Sequence, residues 1–185
     1  MTFFLKILAL YPIHGFKLLS KNLKNYEVLI MKRYLKLVSG LLALIGVALM
    51  FATQVTVKWF SGHTEAIGVQ ALVGGNYKIG TSFNGISAGL AGYILLGVGA
   101  LFILLSALVP YFKEHDMLSM VVTGLGVVCI IVGVILIFLI RKNFADNNGP
   151  FDTVYVGWGA IAAGSLGGLA ILSAGLGMIM DLSGN

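Results

Sequence analysis

The run Val154 to Met180, VYVGWGAIAAGSLGGLAILSAGLGMIM, contains no ionisable residue. A helix rising about 1.5 Å per residue over this length crosses a hydrocarbon core of about 30 Å. Its density of Gly, Ala and Ser exceeds what a helix facing only lipid needs, so it reads as a packing helix. Small residues recur along it: Ala160, Gly164 and Gly168 form one ridge, and Ala163 and Gly167 form another with Ala170 and Ala174 beside them. The other apolar stretches are expected to pack around this last one. On that reading, Leu at Gly164 and Gly168 disrupts assembly.

Composition agrees. The chain has 185 residues, 58% of them apolar and only 10% charged, with a mean hydropathy of +0.98. Soluble domains carry about a quarter of their residues as charges. The apolar residues fall in long uncharged runs rather than in alternation, which is the pattern of membrane spans. The formal charge is +5, but seven of the twelve Lys and Arg residues precede residue 37. Cations gathered beside a first span read as cytoplasmic retention and attraction to anionic headgroups, so no nucleic-acid partner is expected. A single cysteine, Cys129, lies within an apolar run and reads as a small core filler.

Four spans are expected, at about 37–57, 88–109, 117–140 and 154–180, with outer loops at 58–87 and 141–153. The expected fold class is an all-α membrane protein, a four-transmembrane-helix bundle with a small extracellular β-sheet formed mainly by the first outer loop. Gly85, Gly89 and Gly92 begin the second span at packing spacing, and Gly126 and Gly133 share one face of the third. Trp59, Tyr111 and Trp158 are candidate interface anchors. The first loop is punctuated by Ser61-Gly62, Gly74-Gly75-Asn76 and Asn84-Gly85, and predicts strands at 54–60, 66–73 and 77–83. An edge strand near 153–156 is the second loop's contribution.

Residues 1–30 differ from the rest. This basic segment reads either as an interfacial helix, with Phe3, Phe4, Ile7 and Leu8 in the headgroup boundary, or as untranslated sequence upstream of a start at Met31-Lys32-Arg33. Glu27-Val28 can be encoded by a ribosome-binding core just before that methionine. Residues 31–185 form the four-span membrane domain. Four spans place both termini on one side, and the basic N-terminus makes that side cytoplasmic, in the cell membrane. The basic residues counted from Met31 do not orient the bundle by themselves, with Lys32, Arg33, Lys36 and Lys113 inside and Lys58, Lys78, Arg141 and Lys142 outside.

The start MKRYLKLVSGLLALIGVALMF, the first loop, and the block SFNGISAGLAGYILLGVGALFILLSAL resemble uncharacterised small four-span membrane proteins of low-GC Gram-positive bacteria and their wall-less relatives. The resemblance covers most of Met31 to Met180 and rests on composition more than on motifs. The topology, a long strand-bearing first outer loop followed by a short second one, is also similar to claudin-like proteins. The claudin family's paired first-loop cysteines are not reproduced and Trp59 stands alone, so no functional residue is carried over from either family.

Chemistry-bearing residues are sparse. The four spans as drawn hold no ionisable residue, which weighs against a proton relay, a charge-coupled carrier or an intramembrane hydrolase. Ser39, Thr53, Gln54, Ser106, Thr123, Ser165 and Ser173 read as helix-to-helix hydrogen bonds, with Gln54 as a strand start. His14, His63 and His115 lie in three segments, and Glu65, Glu114, Asp116, Asp146, Asp152 and Asp181 all fall in loops or at span ends. No catalytic residue, metal site or cofactor is therefore expected; Asp146 or Asp152 holding a cation is the minor reading. The expected function is structural, accessory or interacting, through helix packing and a structured outer loop. Its expected partners are the lipid bilayer and either further copies of the chain or another membrane protein. The alternative is a subunit of an oligomeric channel or transporter.

Overall fold

The computed structural model describes residues 13–77, 81–109, 116–148 and 151–183, with side chains from residue 30 onward except at 76, 77, 81, 82, 116 and 183. Helix α1 spans Ile13–Ala48 and closes in a 3-10 turn at Leu49–Phe51. Strands β1 (Val55–Lys58) and β2 (Thr64–Ile67), a short helical turn α2 (Gln70–Val73), and strands β3 (Gly75–Tyr77) and β4 (Thr81–Phe83) follow. Then come α3 (Ser87–Leu108), α4 (Asp116–Phe138), α5 (Ile140–Asn148), β5 (Thr153–Val156) and α6 (Trp158–Ser183).

Among the described residues, four segments are long and apolar enough to cross a membrane: Ile30–Phe51, Ser87–Leu108, Met117–Phe138 and Trp158–Leu182. They form a ring in which α1 packs on α3 and α6, and α4 packs on the same two helices. Leu96, Ile103, Ile130 and Ile137 are fully buried along the bundle. Leu41, Ile45, Ile94, Leu101, Leu125, Ile135, Leu172 and Ile179 are exposed on all four helices, an apolar coat that water would not support and lipid does. The protein is a multi-pass membrane protein.

Why the elements stop where they do is local. Helix α3 ends because Val109 precedes a proline and adopts φ −71°, ψ 124°, the extended conformation that a following pyrrolidine ring favours. The first span ends earlier than the expected 57, and the last begins later than the expected 154. Val55, Val57 and Val154 are apolar and buried, but in a sheet rather than in a helix. The third apolar run ends at Phe138, and part of the expected second loop is instead helix α5, which buries Ile140 and Phe144 and exposes Arg141 and Lys142.

The sheet has the order β2-β1-β5, antiparallel throughout, with Val55 opposite both Ile67 and Val156. The central strand thus comes from the first loop and one edge from the second. Gly62, at φ 82°, turns β1 into β2, while Trp59 and His63 close that turn by a backbone bond of 2.8 Å. The strand expected at 66–73 is cut short: β2 ends at Ile67, and residues 70–73 coil into α2 until Gly74, at φ 77°, ends the turn. The expected strand 77–83 is replaced by a hairpin, β3 on β4, paired Gly75 to Phe83 and Tyr77 to Thr81.

Glycines bring α3 and α4 into backbone contact. A Cβ on Gly92 would lie 2.9 Å from the Gly133 carbonyl, and one on Gly99 would lie 2.6 Å from that of Gly126. Each pair is a heptad apart on its helix, so a single antiparallel register serves both. Gly89 fits against Leu72 and Ile140, and Gly164 against the Phe138 ring. Gly85 precedes α3 and packs on the Gly74 backbone, so it is a loop contact rather than a helix contact. Ala160 is fully buried, whereas Gly168 faces open space. In α6 the row Ala163, Gly167, Ala170 and Ala174 is the buried ridge.

Two substitutions separate these environments. Gly99→Ala forces apart the tightest helix pair and should cost about 1–3 kcal/mol, the range for overpacking. Gly168→Leu should leave folding unchanged, contrary to the packing role that its spacing suggests. Thermal unfolding of both variants in the same detergent, read against the parent chain, checks the pair.

Candidate functional site

At the bundle end away from the sheet, α1 carries Lys32 and Lys36 one turn apart on one face, and α6 brings Asp181 against them. Lys36 Nζ lies 2.6 Å from Asp181 Oδ2 and donates to Ser119 Oγ of α4 at 2.9 Å. Lys32 Nζ stands 3.2 Å from Asp181 Oδ1, close enough for an ion pair but out of line for a hydrogen bond to that oxygen. The Lys36 and Asp181 side chains are each 3% exposed. Buried charge at this depth is costly unless paired, and here two ammonium groups share one carboxylate.

The cluster joins three helices. Above it the same α1–α6 seam is closed by two further bonds: Ser39 donates to the Ala170 carbonyl at 2.7 Å, and Ser173 to the Leu35 carbonyl at 2.8 Å. Ser119, Gly126 and Gly133 are spaced by heptads on α4, so the residue receiving Lys36 lies in line with the glycines that receive α3. Ser106 of α3 and Thr123 of α4 share a hydrogen bond of 2.8 Å on that second seam.

The sheet end has its own polar node. Gln54 is fully buried, and its Nε2 donates to the carbonyls of Leu49 (2.8 Å), Met50 (3.1 Å) and Ala52 (3.1 Å), at and just beyond the end of the first span. Its Oε1 accepts from the Tyr93 hydroxyl at 2.7 Å. The Gln54 backbone donates to Ile67 and accepts from Gly157, each at 2.8 Å. Gly157 has no side chain because a Cβ there would strike the Thr53 carbonyl. One residue thus links α1, β1, β2, α3 and the start of α6.

Around the sheet, Phe83, Phe144, Phe151 and Trp59 form an aromatic chain, with Trp59 edge-on to Phe151 at 5.0 Å and Phe144 stacked on Phe151 at 5.7 Å. Asn84 and Asn148 clasp each other: the Asn84 N–H donates to Asn148 Oδ1 at 2.6 Å, and Asn148 Nδ2 donates to the Asn84 carbonyl at 3.1 Å. Of the expected anchors, Trp59 is half-buried in this cluster, Trp158 is 60% exposed on the bundle surface, and Tyr111 lies outside the described residues.

Two further acids are engaged. Asp152 pairs with Lys58 at 3.3 Å, and Glu65 lies 3.6 Å from His63 Nε2 and accepts from the Trp59 indole at 3.4 Å. Asp146 is exposed on α5. Among the described residues, no three His, Cys, Asp or Glu side chains gather as metal ligands.

The charge cluster was hidden from sequence reasoning because Lys36 and Asp181 lie 145 positions apart and each reads as an ordinary span-flanking charge. Its asymmetry orders the variants. Asp181→Ala takes the carboxylate away from two buried cations and should cost about 3–5 kcal/mol. Lys36→Met leaves Lys32 opposite Asp181 and should cost clearly less. Unfolding in mixed micelles measures the order, and equal losses would contradict the shared-carboxylate arrangement. At the other end Tyr93→Phe leaves Gln54 Oε1 short of its donor, for about 1–3 kcal/mol in the same assay. The chain matches no protein-family model and no curated protein sequence.

Proposed function

We propose that this protein is a non-catalytic interaction component of a membrane, a rigid helical pedestal that presents a structured outer cap to another protein or to a second copy of itself. The observation carrying this reading is the β1–β2 turn. Residues 60–64 are all exposed, and Phe60 is 73% exposed at the tip of the hairpin. The turn is held from beneath by the Trp59–His63 backbone bond, by the Trp59–Glu65 contact and by Trp59 on Phe151. An uncovered aromatic ring on a braced turn suits a binding anchor, since little backbone freedom of the turn remains to be lost on association.

The bundle supports a structural role in the same way. Its polar side chains are spent on joining helices, and Leu96, Ile103 and Ile130 fill its interior. A conduit would require several copies enclosing a path between them. In orientation, the sheet and both loops face outward and the two termini face the cytoplasm of a cell membrane.

A photo-crosslinking residue at Phe60, combined with native mass spectrometry of the complex taken from its own membrane in a mild amphiphile, tests the reading. A stoichiometric complex with adducts from position 60, and none from the lipid-facing position Leu172, is expected. A monomer without adducts that carries solute flux in liposomes would overturn it in favour of transport.

A further inference from the structure

Where α4 gives way to α5, the chain forms an open cleft of about 610 Å³, within the range of small-molecule sites, lined by Arg141, Lys142, Phe151, Asp152, Thr153 and Val154. Arg141 follows Phe138, the last residue of the third apolar span, by three positions, about 5 Å along a helix. Tyr155 and Trp158, both more than half exposed, follow the Val154 wall directly in sequence. Interfacial aromatics of this kind mark the headgroup layer, so the cleft opens at headgroup depth.

The charge of the cleft is positive and uncommitted. Neither Arg141 nor Lys142 forms an ion pair among the described residues, and both are exposed. The one acid in the wall, Asp152, is already balanced by Lys58 at 3.3 Å, and Asp146 lies further along α5. Membrane topology does not account for the pair. Lys32, Arg33 and Lys36 occupy the opposite end of the bundle, so a rule that concentrates cations on one side leaves one of the two groups without a reason.

From this we infer that the cleft between α5 and β5 binds the headgroup of an anionic glycerophospholipid from the leaflet at the sheet end. Arg141 offers a planar fork that matches two phosphate oxygens, and Lys142 adds a mobile ammonium. Phe151 and Val154 supply an apolar wall for the glycerol and the first acyl carbons, and the Thr153 hydroxyl stands beside them. The leaflet delivers such phosphodiesters at high local concentration, which favours a lipid over phosphate free in solution.

The test uses the whole purified chain, delipidated and titrated with dioleoylphosphatidylglycerol or dioleoylphosphatidylcholine, with bound lipid counted by native mass spectrometry. One phosphatidylglycerol should remain bound under conditions that strip phosphatidylcholine. The double variant Arg141→Gln/Lys142→Gln should weaken that retention about thirtyfold, the loss expected for two interfacial cations. Arg33→Gln at the other end should not change it. Asp152→Asn, which releases Lys58, should strengthen it. Equal retention of the two lipids, or a double variant that holds phosphatidylglycerol as well as the parent chain does, would overturn the assignment. Displacement of the lipid by excess inorganic phosphate would also overturn it, by making the cleft a site for the soluble anion.

Discussion

Inside a bilayer no water satisfies a backbone carbonyl, and the place where a spanning helix ends is where that constraint is hardest to meet. In this protein one side-chain amide meets it. Gln54 adds a donor to the Leu49 and Met50 carbonyls at the 3-10 end of the first span, where backbone pairing supplies only the Ala52 N–H to Leu49, while its own carbonyl oxygen is taken by Tyr93 from the neighbouring span. The sheet follows from this arrangement. Because the chain leaves the membrane through Gln54, residues 55–58 emerge beside the start of α6, and the Gly157–Gln54 bond sets β5 against β1 in register. The cap is therefore built onto the helix ends rather than hung from a linker.

The two long seams of the ring use different physics. Between α3 and α4, the closest contacts are by backbone, through Gly92 on Gly133 and Gly99 on Gly126, and the two helices are near neighbours in sequence, Leu108 ending one and Asp116 beginning the other. Dispersion between closely approached backbones dominates there, with the Ser106–Thr123 hydrogen bond added to it. Helices α1 and α6 are the first and last spans, without a short connection to align them. Their seam carries the directional bonds: the Lys36–Asp181 pair, Ser39 on Ala170 and Ser173 on Leu35. Non-directional packing predominates where nearness in sequence fixes the neighbour, and hydrogen bonds and charge predominate where it does not.

Much of the fold was legible in the sequence. Length and lack of charge revealed the four spans, and Ser61-Gly62 and Gly74-Gly75 marked the turns between strands. Errors arose where one physical property serves two structures. Val55, Val57 and Val154 are apolar enough to extend a span and β-branched enough to form a buried strand, and only pairing partners far along the chain decide between these. Helix α5 was hidden by its polarity: in IRKNFADNN only Ile140, which reads as the end of the span, and Phe144 are buried. The glycine series from Gly85 drew attention to the start of the second span, while the contact at Gly99 needed the heptad from Gly92 to be matched with the one from Gly126 to Gly133. The candidate site was least legible, because a lysine near one terminus and an aspartate near the other carry no local sign that they meet.

The shared carboxylate has a consequence for how the protein is made. Asp181 leaves the ribosome 145 residues after Lys36, so while the second and third spans are being made Lys36 stands without the carboxylate that it holds in the finished bundle. Until the fourth span is complete, the seam lacks the group that ties α1 to α6 at this end. A polypeptide interrupted before Asp181 keeps that mark, which distinguishes an unfinished bundle from a complete one for any protease or chaperone that surveys the bilayer.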